Sequence, residues 1–275
     1  ISVREYPSGA LTSHLIGYMA PISAEEAEKL IEQGYNPAYD RTGVDGIEYF
    51  LEPQLAGQRG SILREVDVAG ETIKNLRQID PLPGQNIRLT IDLDLQQAAE
   101  NALRNRIALL NAQSNRIVSQ QGVIIAMNPQ NGQILALVSY PGYDNSRFAR
   151  NIDVPYYLDV AADPLKPLVN NAIRSLYPPG STWKIITASA ALQEGVIAPG
   201  TTLNDPGSLV VENKYAPNDP AASQTFVCWK RDGHGQIDIR GALAQSCNVY
   251  FYQIGGGNPD VSAARLRPGG LGINN

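Results

Sequence analysis

The sequence predicts an α+β protein of two domains, and three observations carry that reading. Its 275 residues are many for one domain and enough for two. The stretch Pro81-Leu82-Pro83-Gly84 interrupts both helical and strand patterns, which marks a junction. Beyond it, a segment with helical spacing of apolar residues runs straight into two β-prone stretches, the parts of a helix laid over a hairpin. The expected domains are therefore residues 1–86 and residues 87–275.

Taken in order, Ser23 caps a helix predicted over residues 24–33, with Glu25 and Glu26 in its first turn and Gly34 past its end. Glycines then alternate with apolar and charged residues through Gly46-Ile47-Glu48 and Leu55-Ala56-Gly57. Residues 63–68 and 72–79 read as strands around a turn at Ala69-Gly70. Past the prolines, residues 87–91 are expected as a short strand. Asp92 or Asp94 then opens a helix whose apolar face is Leu95, Ala99, Ala102, Leu103, Ile107 and Leu110. Residues 122–127 and 133–139 form a hairpin about Asn128-Pro129-Gln130-Asn131-Gly132. Residues 140–176 lack periodicity and are expected as a long functional or mobile loop. Two helices are expected at residues 182–194 and 239–255, with an irregular stretch at 200–235 between them.

Composition narrows the function classes. Hydrophobic residues make up 43% and charged ones 18%, enough apolar surface for a packed core and too much for disorder. With 27 acidic against 22 basic residues the net charge is -5, which argues against coating nucleic acid. No run approaches the roughly 18 apolar residues that cross a bilayer. The chain opens at Ile1 without a Met or a charged n-region, which is compatible with a signal or anchor segment upstream and proves nothing about the intact protein. Cys228 and Cys247 are too few for a disulfide scaffold and are compatible with one bridge, two thiols or two metal ligands. Six lysines stand against sixteen arginines, so a lysine inside an apolar segment is worth inspecting.

One such lysine sits in Tyr177-Pro178-Pro179-Gly180-Ser181-Thr182-Trp183-Lys184. The prolines and glycine force a turn, and Ser181 falls at the first position of an alanine-rich helix, where unpaired N–H groups and the positive helix end meet. Lys184, three residues on, shares its face. A hydroxyl is inert until a base takes its proton, and an amine serves as that base when burial lowers its pKa. Taken alone, the same spacing also describes an ordinary N-cap serine beside a solvated lysine. Ser246-Cys247-Asn248 places a hydroxyl and a carboxamide between two apolar stretches, where they must find partners, face a substrate or cap a helix. Further candidates are Cys228, His234 and Cys247, spaced C-x5-H-x12-C, with Asp205 upstream on a turn. Two thiolates, an imidazole and a carboxylate suit a tetrahedral structural Zn²⁺; the competing arrangement is a Cys228–Cys247 disulfide with His234 and Asp205 only hydrogen-bonded.

Together, S-x-x-K at Ser181–Lys184 and S-x-N at Ser246–Asn248 resemble the motifs of the penicillin-interacting serine transpeptidases. The segments Leu135-Ala136-Leu137-Val138-Ser139, Leu168-Val169-Asn170-Asn171, Gly233-His234-Gly235 and Phe251-Tyr252-Gln253 are similar to the elongation-type class B penicillin-binding proteins, the penicillin-binding protein 2 type. Residues 1–86 resemble that family's non-catalytic pedestal. The resemblance implies a transpeptidase domain from residue 87 onward that is C-terminally incomplete, because the family's third motif, K-[ST]-G, is nowhere in the sequence.

The resemblance further implies a peptidoglycan D,D-transpeptidase that crosslinks stem peptides and is acylated by β-lactams. In it Ser181 is the nucleophile, its N–H half of the oxyanion hole, Lys184 the base, Ser246 a proton relay and Asn248 a ligand for the peptide amide. It implies zinc at Asp205, Cys228, His234 and Cys247, with a cysteine in place of a carboxylate. A SEDS-family (RodA-like) glycosyltransferase partner is implied too, as are an N-terminal membrane anchor upstream and an extracytoplasmic catalytic domain. The alternatives are a β-lactamase or β-lactam sensor, which shares both motifs without the pedestal, and a non-catalytic interaction module.

Overall fold

The computed structural model describes residues 4–213, 215–216 and 220–273. It is a mixed α+β chain that divides into two compact units, Ile1–Leu176 and Tyr177–Asn275. Among the described residues the strands pair two by two, always antiparallel.

In the first unit a 3-10 turn, Gly9–Thr12, runs into the short helix α1 (Ser13–Ile16). Strands β1 (Met19–Pro21) and β2 (Arg41–Gly43) pair across α2 (Ala24–Glu32), whose cap is Ser23, accepting from the Glu26 N–H as the sequence predicts. The alternating glycines that follow fold into two short helices, α3 (Gly46–Phe50) and α4 (Glu52–Leu55). The predicted hairpin is present as β3 (Ser61–Val66) and β4 (Thr72–Ile79), every residue exposed. Its exit is pinned where Gln58 and Leu82 exchange both backbone hydrogen bonds, at 2.8 and 2.9 Å. Gly84 lies so close to Leu55 that a Cβ would sit 1.9 Å from the Leu55 carbonyl oxygen. The Pro81–Gly84 stretch, read from sequence as a junction, thus lies inside the first compact unit.

The strand expected at residues 87–91 is absent. That segment runs beside the next hairpin, held by Thr90 Oγ1 donating to the Ile134 carbonyl and by the Asp92 N–H to Leu135. Helix α5 (Leu93–Ser114) starts at the predicted Asp92 cap. Its inner face keeps Ile107 of the expected stripe but departs from it at the start, where Leu95 is exposed and Gln96 is buried. Gln96 is tolerated there because its amide is fully used. It donates to the carbonyls of Leu11 and Leu137 and accepts from the Leu137 N–H, standing in for a strand partner on β6. Strands β5 (Gly122–Met127) and β6 (Ile134–Tyr140) form the predicted hairpin.

Residues 140–176 are not the long loop expected. They contain a 3-10 turn at Asn145–Phe148, α6 (Val154–Ala162) with Asp153 as its cap, and α7 (Asn171–Arg174) capped by Asn170. The Asp, Asn and Pro residues that looked like loop composition are the caps and first-turn residues of short helices. Tyr6, Tyr18, Tyr143 and Phe148 form this unit's aromatic cluster.

In the second unit a 3-10 turn, Gly180–Thr182, leads into α8 (Trp183–Gln193). The expected irregular stretch holds four strands, β7 (Leu203–Asp205), β8 (Ser208–Val211), β9 (Gln224–Val227) and β10 (Gly235–Ile237). They nest, β8 pairing with β9 and β7 with β10. Three- and four-residue strands fall below the length at which alternation can be read from sequence. The single helix expected over 239–255 is two, α9 (Ile239–Ala244) and α10 (Asn248–Gly256), broken at Gln245-Ser246-Cys247. Ser246 there takes a left-handed backbone, φ 51°, and an L-residue in that conformation ends a helix. Helix α10 is the buried axis of the unit: Val249, Tyr250 and Ile254 have no exposure and pack with Ala191, Leu203 and Ala242.

Candidate active site

The break between α9 and α10 faces the start of α8. Gly180, at φ 57°, supplies the turn that Pro178 and Pro179 begin. Ser181 lies exposed in the 3-10 turn, two residues before the α-helix proper and not at its first position. Lys184, half-buried in the first turn of α8, extends to the broken segment. Its Nζ donates to the Ser246 carbonyl at 2.7 Å, to Ser246 Oγ at 3.0 Å and to Asn248 Oδ1 at 2.6 Å. Ser246 Oγ in turn donates to Ser181 Oγ at 2.9 Å. All four motif residues are thus joined in one hydrogen-bonded chain.

Burial shifts the Lys184 amine toward its neutral form. Its pKa lies below the ordinary 10.5, while the Phe251 ring, 5.6 Å from Nζ at its centre, acts in favour of the charged form. A hydroxyl whose proton can pass through a second hydroxyl to a neutral amine is an activated nucleophile.

Behind this chain lies the polar cluster. The nested strands explain how it forms: β7 against β10 sets Asp205 opposite Gly235, next to His234, and the Cys228 N–H bonds the Gly207 carbonyl at the end of β9. The tripeptide adds Cys247, whose Sγ caps α10 by accepting from the Tyr250 N–H at 3.4 Å. The ligand atoms of Asp205, Cys228, His234 and Cys247 all lie within 4.8 Å of one another. Asp205 Oδ2 is 2.6 Å from His234 Nδ1 and accepts from the Cys247 thiol at 3.1 Å, while Cys228 Sγ is 3.6 Å from His234 Nδ1. Both cysteines are free and buried.

Burial pushes the Cys247 thiol up to about 12. Burial also acts to raise Asp205, but hydrogen bonds from His234, Gly207 and the thiols hold its carboxyl below the ordinary value. The four ligand atoms are gathered closely enough for one ion to reach them all, and thiolate, imidazole and carboxylate are zinc donors. His234 Nε2 is buried without a partner, so its Nδ1 is the nitrogen that faces the cluster.

Gly207 and Gly233 make this approach possible. At φ 96° and 79° both lie where side chains are strained, and a Cβ on Gly233 would sit 2.1 Å from the Asp205 carbonyl oxygen.

The two hydroxyls, lysine and carboxamide in this order match a known family over most of the second unit and part of the first. The penicillin binding protein transpeptidase domain matches residues 122–267, and the penicillin-binding protein dimerisation domain matches residues 1–89. The chain belongs to the penicillin-binding protein transpeptidase family. Among curated relatives, the peptidoglycan D,D-transpeptidase MrdA of Escherichia coli K12 is 35% identical over 254 residues, covering 91% of this chain. This chain spans 37% of that relative's length. The crystal structure of penicillin-binding protein 2 of Pseudomonas aeruginosa in complex with WCK 5153 is 32% identical at TM-score 0.67, covering 91% of this chain and 46% of that one. The complex of penicillin-binding protein 2 and MreC from Helicobacter pylori is 27% identical at TM-score 0.73, covering 93% and 43%.

Sequence reasoning missed two parts of this family site. Val227 and Trp229 flank Cys228 and bond the broken segment from the side, Asn248 Nδ2 donating to the Val227 carbonyl at 3.4 Å and Trp229 Nε1 to the Gln245 carbonyl at 2.8 Å. No spacing signal marks them; a tryptophan beside a ligand-type cysteine is the only hint.

Proposed function

We propose that this chain is the pedestal and first catalytic half of a peptidoglycan D,D-transpeptidase of cell-wall elongation. The observation that carries the reading is the unbroken run Lys184 Nζ, Ser246 Oγ, Ser181 Oγ. Neutral Lys184 receives the Ser181 proton through Ser246. The freed Oγ attacks the penultimate carbonyl of a stem ending in D-Ala-D-Ala, and terminal D-Ala leaves carrying a proton returned along the same path. The amine of a neighbouring stem then attacks the acyl-enzyme and releases Ser181. Asn248 orients the peptide amide, and the Ser181 N–H supplies one oxyanion donor, a device whose removal costs about 3 kcal/mol. β-Lactams acylate the same serine because they mimic the D-Ala-D-Ala dipeptide.

The residues and spacings of the polar cluster fit a structural Zn²⁺ held by Asp205, Cys228, His234 and Cys247. Bound there, it would crosslink the nested strands to the cap of α10. Residues 1–86 serve as a pedestal that contacts a SEDS-family (RodA-like) glycosyltransferase. The protein works outside the membrane from an N-terminal anchor upstream; among the described residues no helix is long and apolar enough to span a membrane.

Labelling of the intact protein by a fluorescent penicillin tests the reading. A long-lived adduct supports it, rapid turnover of the drug points to a β-lactamase, and no adduct refutes it. Limited proteolysis cutting near residues 80–90 would support the pedestal boundary.

A further inference from the structure

We infer that Trp229 is a positioning residue for acyl transfer: its indole N–H holds the carbonyl before Ser246 and thereby sets the relay hydroxyl between Lys184 and Ser181. The inference rests on the transpeptidase reading above. Ser246 needs such a hold because its left-handed backbone is unfavourable for a serine and the helix on either side ends at it. The residues after it are fixed by burial, Cys247 and Val249 having no exposure. The residue before it, Gln245, is exposed, and its carbonyl is one that α9 leaves without a helical partner.

Trp229 Nε1 is the donor that carbonyl accepts, at 2.8 Å. The indole is 62% exposed, so burial of the ring does not explain a tryptophan here. Its other contact is the His234 imidazole, edge on at 5.4 Å between ring centres. One face of the side chain therefore leans on the polar cluster while its N–H reaches the motif. Val227 completes the grip by accepting from Asn248 at the far side of the tripeptide. Val227 and Trp229, on either side of Cys228, thus hold the tripeptide at its last residue and just before its start.

The test uses the intact protein with Trp229→Phe, which keeps the ring against His234 and removes the N–H, and Trp229→Ala, which removes both. Stopped-flow acylation by a fluorescent penicillin separates the limiting acylation rate from the half-saturating concentration. Metal content and melting temperature are measured alongside. The expected result for Trp229→Phe is a limiting rate lower by roughly fivefold to tenfold, the scale of one hydrogen bond, with half-saturation, metal content and melting temperature unchanged; Trp229→Ala falls at least as far. A Trp229→Phe protein acylating at the wild-type limiting rate overturns the inference. So does a loss that tracks falling metal content or melting temperature in both variants. Wild-type protein that takes no label sinks the transpeptidase reading and this inference with it, whereas a labelled wild type judges the inference alone.

Discussion

Lys184 reaches Ser181 through Ser246: Nζ stands 3.0 Å from Ser246 Oγ, and that hydroxyl donates to Ser181 Oγ at 2.9 Å. The sequence pattern S-x-x-K suggests a direct pair on one helix face, yet the lysine's three hydrogen bonds all go to the Ser246–Asn248 segment. In the proposed mechanism that path gives Ser246 a share in acylation. Ser181→Ala should abolish the penicillin adduct seen by intact mass, and Lys184→Ala should do the same while the protein stays folded. Ser246→Ala should retain a slow adduct, with acylation down on the order of 10²-fold, the lower range for a lost proton-transfer group. An adduct that survives Ser181→Ala would refute the assignment of the nucleophile.

The pH dependence follows from Lys184. Burial lowers its pKa below 10.5, and only the neutral amine accepts a proton. Acylation should rise with pH through the folded-state value and level off above it, with a midpoint below 10.5. Folding stability carries the same sign: between the lowered value and 10.5 the unfolded chain binds more protons, so stability increases with pH across that window. Stopped-flow rates against pH check the first statement, and denaturant midpoints of the wild type against Lys184→Met check the second. A midpoint at or above 10.5 contradicts both.

Gly233→Ala should destabilise the second unit by more than about 2 kcal/mol, since the added methyl meets main chain and the φ of 79° is strained for alanine. Gly235→Ala adds its methyl to open space, so at φ 68° only backbone strain of about 1 kcal/mol remains. Thermal melts of the two variants should differ in that order; equal shifts would show that the close approach to Asp205 is not what the glycine serves.

Elemental analysis of protein purified without chelator should find near one zinc per chain. Cys247→Ser should lower both zinc content and melting temperature, because the substitution removes a thiolate ligand while leaving a hydroxyl that still caps α10. Acid should release the metal as protons compete for the thiolates and the imidazole. Metal-free protein whose cysteines are blocked under denaturing, non-reducing conditions would establish a Cys228–Cys247 disulfide instead.

Sequence alone determined the features whose cause is local. The caps Ser23 and Asp92, the turn through Pro178-Pro179-Gly180, the hairpin β5–β6 and the motif residues themselves were all legible, because each depends on neighbours within a turn or a short alternating run. Tertiary structure decided what no local pattern encodes. Gln96 is buried because β6 offers it an unpaired backbone edge, so a polar residue holds a position that periodicity gives to Leu95. The helix expected through residues 239–255 breaks at Ser246, where Lys184 takes its carbonyl and hydroxyl and Cys247 turns inward to cap α10. Asp205, Cys228 and His234 meet through strands of three and four residues that pair over long separations. Such strands have little propensity of their own; their stability comes from the partners that only the folded chain brings to them.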